Sequence, residues 1–176
     1  MIKKLGTLFL CLLLCGCSRP VELRKQTFTI ELGQDVYANP ALYVKNESGR
    51  DLDNMEVSPV SIGIVKTKNR FVSMGYEYLL VGEYDFEIQR NKDTFPFKVK
   101  IKDTKPPTLL SNPTEIDVTQ GEYIDWSTHI KAEDLSGVEY SSTQDYFPYI
   151  GEHYVEVRVS DHFGNSNVVN VKVVVK

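Results

Sequence analysis

Cysteine is almost absent from this 176-residue chain: its three cysteines are Cys11, Cys15 and Cys17, and residues 18–176 contain none. A disulfide framework is therefore excluded for the part after residue 18, which must fold by burying apolar side chains. Histidine occurs three times and tryptophan once. The chain also has no excess of basic residues, since its formal net charge is −4. Nucleic-acid-binding domains usually carry such an excess, so we expect no nucleic-acid partner.

Sequence motifs of known catalytic centres are missing as well. The chain has no Gly-x-Ser-x-Gly elbow, no P-loop and no Ser-x-x-Lys. The three histidines, His129, His153 and His162, are not spaced as metal ligands of one element. We therefore predict no catalytic residue, no cofactor and no enzymatic activity.

The first sixteen residues have the pattern of an export signal. Lys3 and Lys4 precede an apolar run over residues 5–14, which is too short to span a bilayer. The next segment, Leu14-Cys15-Gly16-Cys17, resembles the lipobox of bacterial lipoproteins. That resemblance implies cleavage before Cys17, attachment of diacylglycerol to its thiol, and acyl chains such as palmitate. An ordinary cleaved signal and a transmembrane anchor are the alternatives.

Lipidation of Cys17 predicts an extracytoplasmic protein that is anchored to the cell membrane, or to the outer membrane if the host has two. We expect residues 17–26 to form a lipidated polar tether, in which residues 18–26 reach at most about 30 Å. Loss of the signal removes Lys3 and Lys4 but no acid, so the remaining chain is more acidic. The lipid, rather than charge, would hold it at the membrane.

Two copies of one pattern make up the rest of the chain. Residues 33–44 align without gaps to residues 121–132, and residues 81–90 align to residues 150–159 in the same order. The two blocks are farther apart in the first copy, which indicates an insertion at residues 46–78.

The copies predict two domains, residues 27–102 and 103–176. The second begins with Asp103-Thr-Lys-Pro-Pro107, where two prolines favour a short, stiff and extended linker.

Apolar and polar residues alternate with a period of two in both copies. Phe86 and Ile88 point one way while Asp85 and Glu87 point the other, and the same alternation recurs later in both copies. No amphipathic helix is predicted after residue 18. The pattern predicts an all-β protein of two tandem Ig-like antiparallel β-sandwiches, without the Cys-Trp-Cys pattern of antibody domains.

Five motifs of the second copy point to a family: Asp103-Thr-Lys-Pro-Pro-Thr108, Val118-Thr-Gln-Gly121, Ala132-Glu-Asp134, Tyr149-Ile-Gly-Glu-His-Tyr-Val155 and Val159-Ser-Asp-His-Phe-Gly-Asn165. Together they resemble bacterial immunoglobulin-like domains of surface proteins, of the type also appended to pesticidal crystal proteins. The first copy matches only in its two blocks and has Asn91-Lys-Asp-Thr94 in place of the last turn. The resemblance implies a fold and surface display, but no particular activity.

Candidate contact residues lie in or beside the insertion. Tyr76 and Tyr78 could stack on sugar rings or anchor a protein partner. Lys66, Lys68 and Arg70 form a basic cluster that could contact anionic wall polymers. The alternatives are that the tyrosines fill the core or its rim and that the cations belong to a solvated hairpin.

Acidic residues form two further groups, and hard cations such as calcium take several oxygen ligands. The calcium candidates are Glu47, Asp51, Asp53 and Glu56 of the insertion. The residues near the boundary or loops of the second copy are Asp103, Glu133, Asp134 and Asp161. Neither group has the spacing of an EF-hand loop. Solvated turns are the alternative, and we expect Asp161 to accept backbone hydrogen bonds within its own turn.

These observations predict a membrane-anchored lipoprotein of the cell envelope that acts as a non-catalytic binding or spacer module. Its expected partners are the membrane, through Cys17, and a cell-wall polymer or an envelope protein. An accessory subunit of an envelope transport or secretion complex is the alternative, and an envelope hydrolase is a weaker one.

Overall fold

A computed structural model describes residues 21–45 and 52–176, and these form two consecutive units. Both units are built almost wholly of strands. The elements of the first are β1 (Thr27–Glu31), β2 (Val36–Tyr37), a 3₁₀ turn (Pro40–Leu42), β3 (Met55–Pro59), β4 (Ile64–Thr67), β5 (Arg70–Ser73), β6 (Gly82–Arg90) and β7 (Asp93–Lys102). The elements of the second are β8 (Thr108–Ser111), β9 (Glu115–Val118), α1 (Trp126–His129), β10 (Lys131–Glu133), β11 (Glu139–Ser142), β12 (Gly151–Ser160) and β13 (Ser166–Val175).

The main sheets of the two units have the same topology. The strand order is β1-β7-β6-β3 in the first unit and β9-β13-β12-β11 in the second. A smaller sheet completes each unit, β2-β5-β4 in the first and β10-β8 in the second. The prediction of two tandem Ig-like β-sandwiches is confirmed. The sheets are not purely antiparallel, however, because β1 pairs with β7 and β9 pairs with β13 in parallel.

A separate hydrophobic core lies in each unit, because every second side chain of the long strands faces inward. In the first unit Phe86 and Ile88 of β6 are fully buried, and they pack with Val36 of β2 and Phe71 of β5. In the second unit the alternating valines of β12 and β13 pack with the only tryptophan, Trp126. The Trp126 Nε1 donates a 2.7 Å hydrogen bond to Oδ1 of Asp145, so its polar atom is satisfied.

The feature that distinguishes the first unit is a hairpin of β4 and β5. Strand β3 lies within the predicted insertion at 46–78, yet it has a counterpart in β11, since both pair antiparallel with the next long strand. The additional structure is therefore the hairpin, which adds to the smaller sheet through β2. Residues 46–51 of the predicted insertion lie outside the described residues.

Pairing in the first unit begins earlier than the predicted tether allows. Leu23 forms an antiparallel bridge with Val44, and the Arg24 amide donates to the Tyr43 carbonyl at 2.7 Å. Glu22 also forms an ion pair with Lys45. Residues 22–24 thus belong to the fold rather than to a tether ending at 26, because their backbone groups have partners there. The predicted signal and Cys17 lie outside the described residues.

Candidate functional site

The linker between the units is hydrogen-bonded to both of them. From the first unit, the Glu31 carboxylate accepts 2.8 Å hydrogen bonds from the amide and the hydroxyl of Thr104. From the second, Asn165 Nδ2 donates to the Asp103 carbonyl at 3.2 Å and Asn167 Nδ2 donates to the Pro107 carbonyl at 2.8 Å. The Thr104 amide holds the pKa of Glu31 below its ordinary value. These contacts, together with the prolines, restrict the linker.

A loop of the second unit also contacts the first unit directly. The loop after β10 carries Leu135, whose carbonyl accepts a 3.4 Å hydrogen bond from the Tyr78 hydroxyl. Leu135 Cδ1 lies 2.5 Å from the position that a Cβ on Gly33 would take. Gly33 has a φ of +82°, so only glycine fits both the backbone and the contact without strain.

An apolar groove of about 320 Å³ opens at this junction. The first unit contributes Tyr76 and Tyr78, and the second contributes Leu135 and Phe163. Tyr76 is 49% exposed and its ring centre lies 6.0 Å from that of Tyr78, while Tyr78 is half-buried. The two tyrosines that the sequence analysis selected therefore lie at the domain boundary, next to exposed apolar side chains rather than alone.

Acidic partners accompany the predicted basic cluster. Arg70 bonds Asp35 at 2.6 Å and Glu77 at 3.1 Å, and its bond lowers the pKa of Asp35. Lys66 Nζ lies 3.4 Å from a Glu56 carboxylate oxygen. Lys68 occupies the β4–β5 turn with a positive φ of 57°. The charge of the cluster is therefore partly compensated within the first unit.

Two of the predicted calcium candidates line a second groove, away from the junction. Asp53 and Glu56 border this polar groove of about 490 Å³ together with Lys66. Glu47 and Asp51 lie outside the described residues. The positively charged Lys66 side chain therefore already lies beside the Glu56 carboxylate in this groove.

Three aspartates converge at the junction. Asp103 follows β7, Asp134 follows β10 and Asp161 follows β12, and one carboxylate oxygen from each lies within 4.8 Å of the others. Asp161 is only 3% exposed and Asp103 and Asp134 are half-buried. Glu133, which the sequence analysis grouped with them, is exposed and is not a member of this cluster.

Asp161 and Asp134 each have hydrogen-bond donors of their own. Asp161 Oδ1 accepts from the amides of Phe163 and Asn165 at 2.8 and 2.9 Å, which confirms the expectation that it bonds backbone donors of its own turn. Asp134 Oδ1 accepts from the amide and the hydroxyl of Ser136, both at 2.8 Å.

Asp103 differs from the other two. Its Oδ2 is buried and accepts no hydrogen bond. Burial is the main cause that raises the pKa of Asp103. The negative charges of Asp134 and Asp161 raise it further, while hydrogen bonds from Ser136 and the Lys105 amide partly oppose the shift. Burial also opposes ionisation of Asp161, but hydrogen bonds from Asn165 and nearby amides outweigh it and lower its pKa. The cluster therefore holds a carboxylate oxygen that is both desolvated and unpaired.

The three histidines lie in three different parts of the second unit. His129 ends α1, His153 lies in β12 with its Nε2 2.9 Å from the Tyr149 carbonyl, and His162 follows β12 with its Nε2 3.6 Å from a Glu139 oxygen.

Within residues 21–45 and 52–176, no helix is long and apolar enough to cross a membrane.

Comparisons with known proteins assign neither a family nor a function. No protein family matches the sequence, and no curated protein matches it significantly. Among solved structures, the protocadherin gammaB4 extracellular domain matches 89% of the chain at 10% identity and a TM-score of 0.32, and the chain spans 32% of that protein. Fibronectin(III)-like modules of Clostridium thermocellum CbhA match 89% of the chain and 93% of their own length, at 16% identity and a TM-score of 0.30.

An enzyme is also among the similar structures. The endo-fucoidan hydrolase MfFcnA4 of glycoside hydrolase family 107 matches 92% of the chain at 13% identity and a TM-score of 0.34, and the chain spans 30% of its length. Likeness at this level concerns the β-sandwich architecture, and no functional argument rests on it.

Proposed function

We propose that this chain is a lipid-anchored protein of the bacterial cell envelope, whose two β-sandwiches act as a non-catalytic spacer and binding module. The observation that carries the spacer role is the junction, where the linker is hydrogen-bonded to both units and Leu135 packs on Gly33. A spacer must transmit the position of one unit to the next, and a linker with partners on both sides supports that role.

The start of the fold sets the distance from the proposed anchor. Leu23 pairs with Val44, and it lies six residues after Cys17 in the sequence. Such a segment spans at most about 20 Å when fully extended. The first unit would therefore lie next to the membrane surface, and the second would extend the chain from it.

The anchoring is tested with the full chain in a bacterial host. Cells are fed an alkyne-bearing fatty acid, and the protein is then examined for label and for sedimentation with membranes. We expect label and membrane association for the natural sequence and for Cys11→Ser, and loss of both for Cys17→Ser. Label that persists in Cys17→Ser, or natural protein without label, would refute lipidation at this residue.

Contact with a wall polymer or an envelope protein is a second proposed role, favoured by the exposed Tyr76 beside the apolar groove. Residues 18–176 are sedimented with purified cell walls, in calcium and in chelator. Loss of sedimentation in Tyr76→Ala, with Lys66→Ala and Lys68→Ala unchanged, would assign binding to the groove. Loss in the lysine variants instead would assign it to the basic cluster.

Absence of sedimentation in every arm would leave protein contact as the binding role. Cross-linking of the anchored protein in cells then tests for an accessory subunit of an envelope complex. Specific cross-linked products from a reactive group placed at Tyr76, absent when the group is placed at exposed Tyr154, would support it.

A further inference from the structure

We propose that Asp103, Asp134 and Asp161 bind a hard divalent cation, with calcium as the preferred ion, at the junction of the two units. One oxygen from each carboxylate lies within 4.8 Å of the other two. The three residues come from the linker, from the loop after β10 and from the turn after β12. The topology therefore brings together three acids that are far apart in the sequence.

The oxygen donors suit calcium better than magnesium, because calcium accepts irregular sets of carboxylate, carbonyl and water oxygens whereas magnesium demands near-ideal octahedral geometry. Calcium binds oxygen at about 2.3–2.6 Å, so two ligands on opposite sides of the ion are at most about 5 Å apart. Magnesium binds at about 2.0–2.1 Å, which limits the same separation to roughly 4.2 Å. Separations of 4.8 Å or less in this cluster are on the scale of the calcium coordination sphere. Calcium also accepts carbonyl oxygens and water at its remaining positions.

An independent observation also points to a cation. Asp103 Oδ2 is buried and has no hydrogen-bond partner. A buried polar atom without a partner is destabilising, and the effect is larger for a charged group. Asp134 and Asp161 each have a carboxylate oxygen within 4.8 Å of one of Asp103, and their negative charges raise the pKa of Asp103. A divalent cation would supply the missing partner and offset the repulsion among all three groups.

The cation would connect parts of the junction that the chain itself connects only indirectly. Asp103 directly follows the last strand of the first unit, and Asp134 directly precedes Leu135, which packs on Gly33. Asp161 anchors the turn that carries Asn165, a donor to the linker. Binding at the three carboxylates would therefore fix the linker, the contacting loop and the turn to one another. This role does not depend on lipid anchoring or on wall binding.

The test uses the full chain, expressed in bacteria and purified in detergent after chelator treatment. Calcium chloride is titrated by calorimetry, and thermal unfolding is recorded with calcium, with magnesium and with chelator. We expect one calcium per chain and a rise in Tm in calcium, with a smaller rise in magnesium. Asp103→Asn and Asp134→Asn should each weaken calcium binding by at least about tenfold, because they remove a charged ligand.

Two comparisons separate loss of the site from loss of the fold. Glu133→Gln is the matched control, since this exposed acid adjoins Asp134 but is not in the cluster, and its calcium binding should equal that of the natural chain. In chelator, Asp103→Asn should have a higher Tm than the natural chain, because it removes the buried charge and keeps the shape.

Three results would overturn the proposal. The first is the absence of both calcium heat and a calcium-dependent Tm shift in the natural chain. The second is unchanged calcium affinity in folded Asp103→Asn and Asp134→Asn. The third is an equal loss of affinity in Glu133→Gln, which would show that general negative charge, rather than this cluster, attracts the ion.

Discussion

Gly33 of the first unit and Leu135 of the second are in such close contact that a single added methyl group would overlap with the leucine. The nearest leucine carbon is 2.5 Å from the position of a Cβ on Gly33, and Gly33 adopts a left-handed backbone with a φ of +82°. The contact depends on the conformational freedom of glycine and on its lack of a side chain. It therefore allows backbone strain and contact between units to be measured separately.

Gly33→Ala should destabilise the protein and also change the junction. Its backbone strain should cost about 1–2 kcal/mol in the free energy of unfolding. Gly63→Ala is the control, because Gly63 has a φ of +85° and no atom within 4 Å of the position that a Cβ would take, so it has the strain alone. Denaturant unfolding measures the energies, and amide chemical shifts of residues 134–137 measure the displacement. Equal unfolding energies and unchanged shifts in both variants would contradict the contact.

Phe86→Ala should strongly destabilise the first unit. The Phe86 side chain is fully buried and its ring centre lies 5.1 Å from that of Phe71 and 5.7 Å from that of Phe97. Removing such a side chain costs about 3–5 kcal/mol, because the cavity is filled only partly. Ile62→Ala, at a fully exposed position of the same unit, should change stability by less than about 0.5 kcal/mol. Chemical denaturation distinguishes the two, and similar losses would contradict the central position of Phe86 in the core.

The contact of Glu31 with the linker should make stability depend on pH. The Thr104 amide lowers the folded-state pKa of Glu31 below its unfolded value, so this contact stabilises the fold above the ordinary glutamate pKa of about 4.3. That stability is lost as the pH falls through the folded pKa. The free energy of unfolding should therefore fall more steeply between about pH 5 and 3 in the natural chain than in Glu31→Gln.

Thr104→Val provides the comparison for this pH effect. It removes the hydroxyl donor but keeps the amide, which has the largest influence on the pKa of Glu31. Most of the acid sensitivity should remain in this variant. If Thr104→Val were as insensitive to acid as Glu31→Gln, the hydroxyl rather than the amide would be the main partner.

Local sequence patterns predict much of the fold. The alternation around Phe86 and around Val157 predicts β6 and β12, because an inward-facing side chain at every second position is a local property of a strand. The turn from Asp161 to Asn165 is local for the same reason, since its donors and acceptor lie within five residues of one another.

Longer-range features are harder to predict from the sequence. The gap-free alignment pairs Leu42 with Ile130, yet Leu42 is 48% exposed while Tyr43 is buried. Tyr43 and Ile130 each directly follow a short helical turn. When Gly33 is aligned with Gly121, the turn of the first unit ends one residue later than the turn of the second, which shifts the buried position by one. The parallel pairing of β1 with β7 likewise joins segments about 70 residues apart. No local pattern encodes such a pair.

The aspartate cluster shows the same limit at a candidate site. The sequence draws attention to Asp103, Asp134 and Asp161, but it suggests Glu133 equally, and Glu133 lies outside the cluster. The convergence of the three aspartates depends on three separate connections that meet at one end of the second unit. The unpaired oxygen of Asp103 becomes visible only when those connections are assembled.

The parallel pairing of the first unit has a mechanical consequence. Strand β1 begins soon after the proposed anchor, β7 leads directly into the second unit, and five residues of β1 pair with residues 98–102 of β7. A pulling force that acts between the two ends of this unit runs along these strands in opposite directions. It loads the hydrogen bonds in shear, so that they must break together rather than one after another. If the membrane holds one end and a bound partner pulls the other, the first unit is arranged to resist extension.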